Sequence, residues 1–337
     1  MQSQKRQSHI FTKQPVISAW ASVAGKKEKE GPLGNGFDVT SEDGYFGETS
    51  WELGEKHMQQ VALETLIKKA GLSQKDLSVV YSGDLLNQCI GSSFSLRNTN
   101  IPHLGLYGAC STMAESLLLA SMTVGGDYFD NVVAMTSSHF ASSERQYRFP
   151  LGYGGQRTPT SQWTVTGAGA ALVCKEGSGP KVHSFTIGSV TDLGIVDANN
   201  MGAAMAPAAF DTICKHFQDT GTDADAFDLI ITGDLGQVGK EALLALARKK
   251  GVSLGGKLMD CGTEVFDLQT QDVHSGGSGC GCSAITLCSH LLNKLQTGQL
   301  RKILFCGTGA LLSPTSTQQG LPIPGICHAV CIVGKEG

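Results

Sequence analysis

The sequence predicts an α/β protein made of two related halves, each a buried mixed sheet flanked by helices, stacked as an α/β/α/β/α layered body. Three observations predict it. The first is a strand-and-turn signal that occurs twice: Leu77 to Asn87 reads LSVVYSGDLLN and Phe227 to Val238 reads FDLIITGDLGQV, each a β-branched run closing on Gly-Asp-Leu, at Gly83 and Gly233. The second is the pair that follows. Ala109-Cys110-Ser111 opens the apolar stretch Met113 to Thr123 and precedes the strand-like Val132 to Ser138, and Gly281-Cys282-Ser283 opens Ala284 to Leu295 and precedes Ile303 to Thr308. Matched elements in one order are an internal duplication, with a period too long for a solenoid. The third is 43 glycines among 337 residues with no collagen period, which implies many tight turns and close backbone approaches.

Each half is led by a helix. In the first it is Trp51 to Ala70, with Leu53, Val61, Leu63, Leu66 and Ile67 at helical spacing and Gly71 as its stop. The strand ending at Gly83 follows, then the turn and helix around Cys110, then the strand Val132 to Ser138. Val165 to Leu172 (VTGAGAAL) reads as a hairpin leading into a strand that closes the half near Cys174. Glu176-Gly-Ser-Gly-Pro180 is the natural junction, giving halves 1–176 and 177–337. The second half repeats the order, led by Ala204 to Asp219 with Gly221 after it. Strands alternating with helices imply crossover units and sheets covered on both faces.

Composition excludes several functions. Apolar residues make up 41% and charged residues 17%, too apolar and too weakly charged for disorder. A net charge of -4 gives no electrostatic footprint for nucleic acid. The longest apolar run, Leu117 to Val124, is broken by Ser121 and Thr123 and falls short of the roughly 20 residues of a spanning helix. Met1 to Lys13 has basic residues but no apolar run behind them, so the expectation is a chain with no signal peptide and no transmembrane helix. An odd count of 11 cysteines points to packed, reactive or ligating thiols rather than to a disulfide framework. Cys280-Gly-Cys282 with His274 and Cys261 lacks zinc-ligand spacing, so no metal site is expected.

Cys110 is the chemical centre of the sequence. It lies in Leu106-Tyr-Gly-Ala-Cys-Ser-Thr112, where a strand gives way to a helix, and a thiol there meets unpaired helical N–H groups that favour thiolate and receive anions. The competing reading is a small buried core residue. Asp84 and Asn87 follow the first repeated strand, and Asp234 and Gln237 the second. Asn87 is a pocket candidate because ligands collect beyond strand carboxyl ends. The repeated Gly-Asp-Leu favours a turn or cap role for both aspartates.

At these residues the chain resembles the thiolase superfamily, including the β-ketoacyl synthases. Gly167-Ala-Gly-Ala-Ala171 is similar to the family's hairpin glycines, and Cys306-Gly-Thr-Gly-Ala310 to the C-terminal loop that carries a second catalytic Cys in thiolases. Longer strings, among them Lys27-Glu-Lys-Glu-Gly-Pro-Leu-Gly34, Thr136-Ser-Ser-His139, Glu144-Arg-Gln-Tyr-Arg148 and Met205-Ala-Pro-Ala-Ala209, resemble more specifically the stage V sporulation AD family of endospore-forming bacteria. That resemblance implies binding of dipicolinic acid (pyridine-2,6-dicarboxylate), its uptake into the developing spore and its release in germination. It also implies a peripheral place at the spore inner membrane, reached after synthesis in the forespore cytoplasm by docking on other stage V sporulation AA–AF membrane proteins, with a homodimer as a further implied state.

The departures from the enzymes decide the functional expectation. A condensing enzyme carries a His or Asn on the loop after the second half's first strand and a His before its later helix. Here the first loop reads Gly233-Asp-Leu-Gly-Gln237, and Gly277 stands where the second His would, with His274 three positions earlier. The expectation is therefore a binding protein, with a Cys110-dependent acyltransferase, assisted by Cys306 and His274, as the alternative. For a planar dianion, one carboxylate is assigned to the helix start at Cys110, Ser111 and Thr112. The other is assigned to Arg145 and Arg148, whose guanidinium forks match a carboxylate, with Asn87 and His139 nearby. No cofactor is expected, calcium entering only as the ligand's counter-ion.

Overall fold

The computed structural model describes residues 6–147, 157–254 and 256–334. Its first half contributes strands β1 (Val16–Ala24), β2 (Val79–Gly83), β3 (His103–Gly105), β4 (Val132–Ser138) and β5 (Gly167–Cys174). Helices α1 (Trp51–Ala70), α2 (Thr112–Gly125) and α3 (Phe140–Tyr147) lie between them. The second half contributes β6 (Lys181–Thr186), β7 (Leu229–Thr232), β8 (Leu258–Asp260), β9 (Lys302–Ala310) and β10 (Gly325–Val333), with α4 (Met201–Thr220), α5 (Gly236–Lys249) and α6 (Cys280–Thr286).

The strands form a 12-stranded mixed sheet with the path β8-β7-β9-β10-β6-β1-β5-β4-β2-β3, and the short strands Ser8–Ile10 and Val39–Thr40 pair off that path with β6 and β1. The path is one five-strand pattern written twice. In the first half β3, β2 and β4 are parallel, and β5 and β1 add antiparallel. In the second, β8, β7 and β9 are parallel, and β10 and β6 add antiparallel. The two runs join where Val16 pairs with Lys181, so the sheets expected one per half meet edge to edge.

Side-chain alternation along the strands sorts the core into three helical layers. Val132 and Ala134 face inward with Ile231, Phe305 and Val330, against Met113 and Leu117 of α2 and Ala284 and Ile285 of α6. Val133 and Met135 face outward onto Met58, Ala62 and Leu66 of α1. Ile230, Leu304 and Cys306 face outward onto Met205, Ala209 and Ile213 of α4 and Leu243 of α5. Helices therefore lie outside, between and outside the two five-strand runs, the α/β/α/β/α order.

The leading helices end as the sequence predicts. Ser50 caps α1 by accepting from the Leu53 N–H, and Gly71 closes it in the left-handed region at φ 66°. Asn200 and Gly221, also at φ 66°, do the same for α4. The helix expected from Ala284 starts earlier, at Cys280, and continues through a π turn at Leu287–Leu291 to Gln296.

Candidate functional site

The turn that carries Cys110 is held by its own hydroxyl groups. Ser111 Oγ donates to the Gly108 carbonyl at 2.7 Å, and Thr112 Oγ1 donates to the Ala109 carbonyl at 2.6 Å. Ala109 sits at φ 53°, a left-handed conformation unfavourable for a residue with a Cβ. The second half presses on this turn from behind. A Cβ on Gly307 would come within 2.5 Å of the Ala114 Cβ, and one on Gly309 within 2.9 Å of the Gly108 carbonyl oxygen. That close approach explains the glycines of Cys306-Gly-Thr-Gly-Ala310.

In front of the turn lies a cavity of about 270 Å³. Its walls come from both halves: Ala109 and Cys110 from the turn, Ser143, Glu144 and Tyr147 from α3, and Gln162, Thr164 and Ser278 from the floor. Asn199 stands before α4 and Met201 begins it, while Ala310 ends β9 and Leu312 and Thr317 lie beyond it. The floor is a two-stranded parallel ribbon in which Trp163–Thr164 pairs with Gly277–Ser278. Gln162 is locked there, its Nε2 donating to the Asp234 carbonyl at 2.7 Å and to the Gly277 carbonyl at 2.8 Å.

Asp234 organises the chemistry. Fully buried, it accepts from Thr308 Oγ1 at 2.8 Å, from Ser278 Oγ at 3.1 Å and from the Gly279 N–H at 2.9 Å. Burial holds its carboxyl above the usual range against the lowering effect of these donors. The Cys110 thiol lies beside this carboxylate, with Ser278 Oγ 4.0 Å away. Burial first, then the charge of Asp234, push the thiol well above its ordinary value. The helix-start turn that should favour a thiolate thus holds a protonated thiol, because desolvation and a neighbouring carboxylate outweigh the dipole of one helix.

The remaining residues singled out from sequence fall in several places. Ser111 and Thr112 are buried and spend their hydroxyls on the turn itself. His139 caps α3, its Nδ1 accepting from the Ala141 N–H at 3.1 Å and its Nε2 donating to the Gly44 carbonyl at 2.7 Å, and burial keeps the ring below its ordinary pKa. Asn87 and Arg145 share a shallower depression on the far side of α3. There Arg145 pairs with Glu52 at 3.3 Å and stacks 4.6 Å above the Trp51 ring. Helical spacing explains this: Ser143 and Tyr147, four apart, face the cavity, and Arg145 between them turns away. Arg148 lies outside the described residues.

The two residues named for the enzyme alternative are also not in the cavity wall. His274 occupies a loop at φ 50°, its Nε2 3.6 Å from Asp272 Oδ1. Cys306 points to the outer face of its strand, into the layer packed by α4. Period-2 alternation along β9 sends Phe305 toward the central layer and Cys306 away from it. Among the described residues no group of three or more His, Cys, Asp or Glu side chains is arranged to hold a metal ion. Ser278, Gln162 and Ser143 are the site residues that sequence reasoning passes over, and Asp234, marked by the repeated Gly-Asp-Leu, reads from sequence only as a turn or cap residue.

Comparison with solved structures places the fold. The chain is similar to human mitochondrial 3-ketoacyl-CoA thiolase, with a TM-score of 0.63 and 11% identity over 98% of this chain and all of that one. It is similar to Xanthomonas campestris OleA bound to cerulenin, with a TM-score of 0.60 and 14% identity over 98% and 100%. The 3-oxoacyl-[acyl-carrier-protein] synthase III of Aquifex aeolicus gives a TM-score of 0.57 and 13% identity over 95% and 99%. At such identities the likeness establishes a thiolase-like fold and nothing about activity. By sequence, the chain is 41% identical over 325 residues to "Stage V sporulation protein AD" of Bacillus subtilis, covering 96% of both proteins. The family described as "Stage V sporulation protein AD (SpoVAD)" matches residues 5–333. With nearly its whole length matched, this chain belongs to the stage V sporulation protein AD family.

Proposed function

We propose that this sporulation protein is a non-enzymatic binder of dipicolinic acid, acting in its uptake into the developing spore and its release in germination. The observation that carries the reading is the buried Cys110 thiol set beside a buried carboxylate in the cavity wall. Cys110 faces the buried carboxylate of Asp234, and no histidine lines the cavity among the described residues. A nucleophile needs the opposite arrangement, a base or cation that draws off its proton. The cavity has room for one aromatic ring, with Leu85, Met201 and Leu312 as apolar wall and the hydroxyl and amide groups of Ser143, Thr164 and Asn199 to meet carboxyl oxygens. Calcium enters, on this reading, as the ligand's counter-ion. The same reading puts the protein at the face of the spore inner membrane, docked on membrane proteins of the stage V sporulation AA–AF group.

Isothermal titration with dipicolinate tests the proposal, with pyridine-2-carboxylate for comparison. One saturable site that prefers the diacid is expected, and no heat on the folded protein sinks the idea. An acyl-transferring enzyme, the reading that the thiolase-like fold keeps in view, predicts instead an acyl adduct on Cys110 in intact-mass analysis after incubation with an acyl-coenzyme A.

A further inference from the structure

Two residues that line this cavity each hold a buried polar atom with no partner: Gln162 at the floor, through Oε1, and Ser143 on α3, through Oγ. Both residues are nearly inaccessible, at 2% and 4% exposure. The amide orientation of Gln162 is fixed, because turning it over would set its oxygen against the two carbonyls that its Nε2 now serves. Gln162 Oε1 is therefore an acceptor that has lost water and gained nothing, a desolvation cost that stands until a donor arrives. The Ser143 hydroxyl can donate or accept.

Among the described residues, the groups that line the cavity beside this acceptor are negative or neutral. Asp234 lies behind it, with Asp260 next, holding the Leu235 and Gly236 N–H groups. Glu144 and Tyr147 face the cavity from α3, and Cys110 from its turn. Arg157, on Gln162's own segment, gives Nη2 to Asp272 and lies over the Trp163 ring outside the cavity lining, its Nη1 buried without a partner, and His274 stands beside Asp272. Among the described residues no Lys or Arg lines the cavity. A free dianion would meet an orphaned acceptor and a buried carboxylate there, and among the described residues lining the cavity no cation offsets them.

We infer that Gln162 selects a ligand that brings its own hydrogen-bond donor, so that dipicolinate is held as its singly protonated monoanion. The inference rests on the dipicolinate reading above. A proton from solvent goes to one ligand carboxylate or to the ring nitrogen, and the resulting O–H or N–H donates to Gln162 Oε1. The remaining carboxylate accepts from the Ser143 hydroxyl. Binding therefore takes up about one proton per ligand, and affinity falls roughly tenfold for each pH unit, the slope of a single linked proton.

Titration of the full chain at several pH values, in two buffers of different ionisation enthalpy, measures the proton directly. Dipicolinate is compared with its monoamide, 6-carbamoylpyridine-2-carboxylate, which carries one negative charge and permanent N–H donors. Expected are proton uptake and pH-dependent affinity with dipicolinate, and pH-independent binding without proton uptake by the monoamide. Dipicolinate binding that is flat with pH overturns this inference and leaves the binding reading standing. So does a monoamide that fails to bind, or one that takes up the same proton, since that proton would belong to the protein. Absence of binding by both ligands removes the binding reading and this inference together. Because the comparison varies the ligand, it does not depend on a Gln162 variant folding.

Discussion

Two aspartates that read alike in sequence do different work in the two halves. Asp84 and Asp234 both follow a strand-ending glycine and precede a leucine, and both are fully buried. Asp84 looks to its own neighbourhood: it accepts from the Leu86 N–H at 2.9 Å and from the Ser92 N–H and Oγ at 2.8 and 2.7 Å. Asp234 reaches across the fold, binding Thr308 of the neighbouring strand β9 and the Ser278–Gly279 segment, with Cys110 of the other half against it. The same split marks the two repeated cysteines. Cys110 lines the cavity, whereas Cys282 is buried in the central apolar layer. A duplicated motif thus keeps its place after the matching strand in both copies, and one copy is free to become a brace for a site.

The largest effect that tests this contrast is expected from Asp234→Ala. It strands three donors and should cost about 3–5 kcal/mol in urea unfolding, together with loss of ligand binding on whatever fraction stays folded. Asp84→Ala should also destabilise, yet leave affinity per folded molecule unchanged. If Asp84→Ala abolishes binding while Asp234→Ala spares it, the division of labour is wrong.

Acidity gives the next largest effect. Burial raises Glu28 to about 7 and Glu55 to about 8, in the second case helped by the nearby charge of Asp84. Burial likewise raises Asp260 to about 6. The sign follows from proton counting. A folded state that holds a proton more tightly than the unfolded chain has its full contribution at low pH and loses it as pH rises from the unfolded value of 4.5 through the folded one. Stability should therefore fall between pH 5 and pH 8. Glu28→Gln, which keeps an acceptor for the Thr166 N–H, should flatten part of the slope, gaining on the order of 2 kcal/mol at pH 8 relative to pH 5. Denaturant midpoints at the two pH values read this out, and an unchanged slope would remove Glu28 as a contributor.

Smaller effects separate the two cysteines. Cys110→Ala should weaken dipicolinate binding by roughly five- to tenfold, the worth of one hydrogen bond, with little change in unfolding. Cys282→Ala should leave affinity alone and cost about 1 kcal/mol through lost packing. Smallest of all is Arg145→Ala. Its ion pair with Glu52 is half-exposed, so stability should change by less than about 1 kcal/mol and affinity not at all. A tenfold loss of affinity in that variant would bring Arg145 back to the ligand.

The fold was legible because its signals are local and occur twice. Gly71 and Gly221 end the leading helices, and the β-branched runs ending at Gly83 and Gly233 mark matching strands. The site was legible only at Cys110, where a strand-turn-helix string announces itself. Gln162, Ser143 and Ser278 carry no such string, since their meaning arises when separate segments converge on one cavity. Arg145 shows the complementary failure. It belongs to a promising basic motif, but a turn of 100° per residue along α3 sets it on the wrong side. Cys306 fails likewise, through the two-residue period of a strand.

The clamp of Gly307 and Gly309 on the Cys110 turn has a consequence for how the protein could be cut. The cavity draws walls from both halves, whereas the connection at residues 175–180 runs between β5 and β6 with an exposed stretch at Lys175–Ser178. Separated there, neither fragment would own a ligand site, and recovery of binding on mixing would report reassembly of the two.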